Sequence, residues 1–219
     1  MPNMPFGVYL AVLVVGLVTL CALGAAISLF IERWRHMSTA SQLARWRKLY
    51  KKEFGIELGD VVIPKRMRGF GRLIVIAAGV TLGQVFAALG RRFSVYSYYN
   101  DPDAEVTKNE RTNTETYAIW VRERVEADKR LRNFSANDIK AAGLATQTLL
   151  EHLLHMLVVF DEDGTHLNVD NITLCSGSRD SDGRVLFVVG PAGGRRLHID
   201  WCYPSYSCAI LRARQVIAA

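Results

Sequence analysis

Residues 73–90, LIVIAAGVTLGQVFAALG, carry no charge and are bracketed by Arg72 on one side and by Arg91 and Arg92 on the other. Whether this run crosses a membrane decides the reading of the whole chain. As one helix its 18 residues rise about 27 Å, just short of the roughly 30 Å of a hydrocarbon core, but Phe70 and Phe93 extend it while Arg72 and Arg91 snorkel. Gly79, Gly83 and Ala87 recur four apart, a row of small residues that lets a second helix approach closely. Gln84, the one strongly polar side chain, then faces a protein neighbour. The run predicts a transmembrane helix over 70–93, with Gly79, Gly83, Ala87 and Gln84 as its helix-packing residues.

Charge is distributed in a way that agrees with a crossing. The net of +6 over 219 residues arises mainly from residues 32–72, with 11 basic against 4 acidic residues, whereas residues 93–219 hold 14 against 17. A basic total of this kind does not argue for nucleic acid. Residues 6–31, FGVYLAVLVVGLVTLCALGAAISLFI, have no ionisable charge and are long enough for a first span, with no basic segment before them to mark a cleavable leader. The positive residues that follow place 32–69 on the cytoplasmic side. Within that loop Thr39 to Phe54 reads as a helix, capped by Ser38 or Thr39 and stopped by Gly55. Its Leu43, Trp46, Leu49, Tyr50 and Phe54 form an apolar stripe; a solvated juxtamembrane helix obeying the positive-inside rule is favoured over one laid on the membrane surface with its basic side toward lipid head groups.

Beyond a linker over 94–104, residues 105–219 read as an α+β domain. Thr114 to Leu131 is expected to be a helix. Ser135 to Asp138 resembles a capping arrangement for a longer one, in which Ile139, Ala142, Ala145, Leu149, Leu150, Leu153, Leu154 and Leu157 form a stripe. The remainder alternates turns with strand-like runs, notably 184–189 and 195–203 as a hairpin about Gly190 to Gly194, with Cys208 to Ala218 as a last strand. Helices first and strands second imply an antiparallel sheet with the long helix across one face. The fold class expected is thus a membrane protein, with two transmembrane helices as a hairpin and a C-terminal α+β domain outside the cytoplasm.

No catalytic constellation matches a known chemistry closely. Glu151, His152 and His155, with Asp161 or His166, are metal-ligand types, but the histidines are three apart and the glutamate precedes both, unlike H-E-x-x-H. His198, Asp200 and Cys202 share one strand face through the period of two, and with Cys208 they invite a thiol reading. A structural thiol, or a disulfide between Cys202 and Cys208, is favoured over it; Cys175 to Cys202 is the other candidate bridge. The Gly190 to Arg196 loop lacks the Lys-Ser/Thr and helix of a phosphate cradle. Asp161 to Gly164 and Asp180 to Gly183 begin like calcium loops and do not continue as one. Asn133 and Asn171 head N-glycosylation patterns with no other support. No catalytic, metal or cofactor-binding residues are therefore assigned, and no cofactor.

The expected function is that of a non-enzymatic assembly subunit in a bacterial inner-membrane machine of the secretion, conjugation or pilus type, with its C-terminal domain in the periplasm. Its partners would be membrane lipids and other membrane subunits, in a hetero- or homo-oligomer, without nucleic acid. The alternatives are a membrane-tethered enzyme or sensor using the His or Cys/His groups, or a single-span protein with a cytosolic interaction domain.

Overall fold

The computed structural model describes residues 37–191, 193 and 196–219; the span expected over 6–31 lies outside them. Residues 42–219 form one compact unit. Its first helix, α1 (Thr39–Phe54), ends at Gly55 in the left-handed region (φ +68°). The decisive run then divides. Its first part is β1 (Arg72–Ile76), buried along its whole length, and its last part is α2 (Leu82–Gly90), nine residues long. Nine helical residues rise only about 14 Å. Among the described residues no helix is long and apolar enough to cross a membrane.

The hairpin of two spans is thereby overturned, and with it the inner-membrane placement and the periplasmic location drawn from it. The physical reason lies between the two halves. Gly79 turns at φ +72°, and Thr81 caps α2 by a reciprocal box with Gln84, so the backbone cannot continue as one helix. The run is apolar because β1 is buried on both faces, which produces an unbroken hydrophobic string without any lipid. The flanking cations are used internally. Arg72 pairs with Glu162 at 2.6 Å, and Arg91 and Arg92 both hold Glu53 at 2.6 Å. Arg92, foremost, keeps the Glu53 carboxyl down at about 2.

The stripe on α1 likewise has a different use. Gln42, Trp46 and Tyr50, one helical turn apart, bond the edge of β1 that no strand covers among the described residues. Gln42 takes the Gly71 carbonyl and Leu73 N–H, Trp46 Nε1 donates to the Leu73 carbonyl, and Tyr50 Oη links the Val75 carbonyl to the Ala77 N–H. Three side chains thus do for that edge what a neighbouring strand would do. Trp46, Leu49 and Tyr50 are buried in the main core rather than laid on a membrane.

After α2 come β2 (Val95–Ser97), the short α3 (Pro102–Glu105), β3 (Lys108–Asn109) and β4 (Tyr117–Val121). The helix expected over 114–131 is instead this strand, a loop and a 3-10 turn at Lys129–Leu131. The sequence Tyr-Ala-Ile-Trp-Val at β4 is rich in β-formers, and its central position in a sheet overrides the helical spacing. The long helix expected from Ser135 is two, α4 (Ala136–Ala141) and α5 (Leu149–Asp163), separated by Gly143 at φ +63° and capped separately by Ser135 and Thr148. Strands β5 (Ile172–Arg179), β6 (Val185–Val189), β7 (Leu197–Cys202), β8 (Leu211–Ala213) and β9 (Val216–Ile217) follow.

They make two sheets. One is antiparallel in the order β1-β4-β9. The other runs β2-β7-β6-β5-β3, with β8 beside the first half of β5. In this second sheet β2 lies parallel to β7 and β8 parallel to β5, so the expected antiparallel sheet is mixed. The hairpin of β6 and β7 is present, Val189 opposite His198. The single last strand is two, since Arg214 and Gln215 carry the chain from one sheet to the other. The inner face of the larger sheet (Cys175, Leu186, Val188, Leu197, Ile199) joins α1, α2, α5 and β1 in the main core, and its outer face carries a smaller cluster.

Candidate functional site

The outer face is set by the register of its strands. Ile172 and Leu174 on β5, Phe187 and Val185 on β6, and Cys202 on β7 are cross-strand partners or lie two apart, and Leu211 and Ala213 extend the same face through β8. Leu131, Ala136 and Ile139 cover one part of it. The rest stays open as a groove of about 320 Å³ lined by Ile172, Phe187, Trp201, Cys202, Tyr203, Tyr206, Cys208, Ile210 and Leu211. A turn in which Tyr206 N–H reaches the Tyr203 carbonyl (2.9 Å) presents the two tyrosines at its rim. Tyr203 is 65 % exposed, Tyr206 and Ile210 each 51 %. Large apolar side chains are seldom left in such a cluster without a partner.

Trp201, at the end of β7, touches the groove and also packs against residues outside it. Trp201 stands edge-on to Tyr203 at 5.5 Å and to Tyr98 at 5.9 Å between ring centroids. The Arg184 guanidinium lies 4.2 Å from the Trp201 centroid and is pinned by Asp180, whose carboxylate accepts its Nε at 2.6 Å. Rings fixed by neighbours lose little entropy on binding, which makes Trp, Tyr and Arg effective anchors.

The residues that looked enzymatic are elsewhere and sealed. Glu151 is fully buried. It takes a bidentate pair from Arg111 (2.6 and 2.9 Å), the Tyr117 hydroxyl at 2.9 Å and the Thr148 N–H at 2.8 Å. His152 Nδ1 donates to Gln147 Oε1 at 3.1 Å and its Nε2 accepts from Asn168 Nδ2 at 3.0 Å, while Gln147 Nε2 faces His155 Nδ1 at 3.4 Å. In this chain of bonds both imidazoles are neutral. Burial, seconded by the Arg214 charge, holds both well below the ordinary histidine range. Arg214, itself fully buried, donates to Asn168 Oδ1 and to the Arg124 and Val125 carbonyls, and burial lowers it to about 10. Asp161 pairs instead with Lys52 at 2.6 Å, and His166 stacks on Phe160. Among the described residues no group of three or more His, Cys, Asp or Glu is placed to hold a metal ion.

His198 Nε2 stands 3.3 Å from Asp200 Oδ2 and packs on Tyr96, but no hydrogen bond joins it to Cys202 or Cys208 among the described residues. Both thiols are free and both line the groove. Burial pushes the Cys202 thiol up to about 11, the wrong direction for a nucleophile at neutral pH. Asp180 and Asp182 both serve Arg184, and Asp163 closes a turn onto the Thr165 N–H. Asn133 is exposed and sits at φ +63°, and Asn171 donates to Glu126. Gly190 packs against the Leu167 and Asn168 carbonyls, where a Cβ would collide with the backbone.

The expected packing row does not fall on one helix. Gly79 is in the turn before α2, its N–H on the Asn113 carbonyl at 2.9 Å. Gly83 is in the first turn of α2, where Asp103 caps the Leu82 and Gly83 N–H groups at 2.7 and 2.9 Å. Gln84 completes the cap with Thr81 and Ala87 is exposed.

Sequence reasoning passed over Tyr203, Tyr206 and Ile210. The one signal available was the density of aromatics in Trp201-Cys-Tyr-Pro-Ser-Tyr206, at the end of the β7 strand. No family model, curated protein or solved structure matches this chain.

Proposed function

We propose that the chain is a non-enzymatic interaction module, and that the groove on the outer face of the larger sheet seats an apolar side chain of a partner polypeptide. The observation that carries this reading is the open aromatic groove itself, on the outer face of the larger sheet. Trp and Tyr anchors around an apolar floor, with tyrosine hydroxyls at the rim, have the composition of an interface centre. The dispersal of His152, His155, Cys202 and Glu151 into separate structural roles favours binding over catalysis.

Selection of displayed peptides against the full chain tests it. The selected peptides should share a large apolar residue, and Ile210→Asp should weaken them about tenfold or more, the scale of a lost interface anchor, without changing the melting temperature. Selected peptides that bind the Ile210→Asp protein as tightly as the unaltered one would sink the reading.

A further inference from the structure

A second cleft, of about 410 Å³, is lined by Arg122, Arg124, Asp128, Lys129 and Arg130. Four cations meet a single carboxylate there, and that carboxylate is already engaged. Asp128 accepts from Arg122 Nη1 at 2.6 Å and from the Gln215 N–H at 2.9 Å. Arg122 and Arg130 then converge on one neutral acceptor, since their Nη2 atoms donate to Gln215 Oε1 at 3.0 and 2.7 Å. An amide oxygen holds two guanidinium groups together without cancelling the charge of either.

One of these cations is held in place, and two are left unengaged among the described residues. The Arg122 guanidinium lies 4.1 Å from the Phe70 ring centroid, so its orientation is set from behind. Arg124 and Lys129 are exposed, and no hydrogen bond or ion pair engages their side chains among the described residues. With Arg122 and Asp128 offsetting one another, Arg124, Lys129 and Arg130 leave a surplus of positive charge along the lining of the cleft. Guanidinium forks match the oxygens of phosphate, and a multivalent anion relieves the mutual repulsion more than a monovalent one does. The cleft also falls in the size range of small-molecule sites, roughly 300 to 1,000 Å³.

We infer that this cleft is an anion site for the phosphoryl group of a small phosphorylated molecule, held by Arg130, Lys129 and Arg124 with Gln215 as the positioning residue. It is independent of the aromatic groove and of the partner proposed for it.

The test is calorimetric titration of the full chain with pyrophosphate at constant ionic strength, with acetate as the monovalent reference. Saturable one-site binding is expected, weakened about tenfold or more by Arg130→Gln, the scale of a lost hydrogen bond to a charged group. Lys129→Gln should weaken it in the same direction. Lys51→Gln removes the same charge from an exposed helix and should leave binding unchanged. Gln215→Leu keeps every charge and separates the two guanidiniums, so weakening by this variant, with an unchanged melting temperature, reads out their convergence. The proposal is overturned if pyrophosphate does not saturate, if acetate competes equally, or if Lys51→Gln costs as much as Arg130→Gln. It is overturned as well if a single-stranded oligonucleotide binds through Arg130 while pyrophosphate does not, because the ligand would then be a polymer backbone.

Discussion

The two faces of the larger sheet are dressed in opposite ways. Its inner side meets a sealed layer in which Gln147, Glu151, His152, His155, Asn168, Thr173 and Arg214 are all buried. Its outer side leaves Tyr203, Tyr206 and Ile210 in the open around an apolar floor. Residue type alone would assign chemistry to the first face and core to the second. Burial reverses the assignment, because His152, both of whose ring nitrogens are bonded to amides, and His155 beside it are sealed in the core away from any substrate, whereas an exposed tyrosine beside a groove has surface to offer.

The contrast breaks most sharply if the sealed layer is damaged. Arg111→Ala would leave the buried Glu151 carboxyl without its bidentate partner, and the expected loss is about 3–5 kcal/mol of unfolding free energy by denaturant titration. A loss below about 1 kcal/mol would mean that water reaches Glu151 and that the layer is not sealed.

The next effect is one of pH. His152 and His155 are held neutral, their affinity for protons reduced by burial, while the same residues in the unfolded chain titrate near 6.5. The unfolded chain therefore binds more protons as pH falls below that value, so stability is full above it and declines from pH 7 to pH 5. A flat melting temperature over that interval would show that the rings can be protonated in place. Glu53 acts further down, its stabilisation lost only as pH falls from the ordinary carboxylate range through about 2.

A smaller effect is expected at Gly83. A Cβ there would come within 2.9 Å of Asp103 Oδ2 and displace the carboxylate that caps α2. Gly83→Ala should cost about 1 kcal/mol, the value of a lost cap, as measured by thermal unfolding. The smallest effect belongs to the outer face. Tyr203→Ala should change stability by no more than about 0.5 kcal/mol, and a larger loss would make Tyr203 part of the core and not of a binding surface.

What the sequence disclosed divides along the same line. Caps and turns were readable, since Ser135 with Asp138, the Thr39 to Phe54 helix and the hairpin at Gly190 depend on neighbours in the chain. The run over 73–90 was not, because a strand buried on both faces and a membrane helix look alike in composition, and only the Gly79 to Thr81 turn separates them. The β4 strand was missed for a similar reason, as its helical spacing of apolar residues is genuine but its sheet neighbours Leu73 and Ile217 are distant in sequence. The groove and the cleft were least legible. Each depends on what fails to cover a surface, and on an acceptor, Gln215, that reaches Arg122 across 93 positions.

Residues 211 to 217 supply a strand to each sheet, and the two residues between those strands complete the buried layer with Arg214 and the cation cleft with Gln215. During synthesis, neither sheet can close and neither set of cations can be arranged until nearly the whole described chain has left the ribosome. Everything upstream must wait, with β4 and β5 each lacking a neighbour, for the last strands to be delivered. Loss of these few residues would strip a strand from each sheet at once.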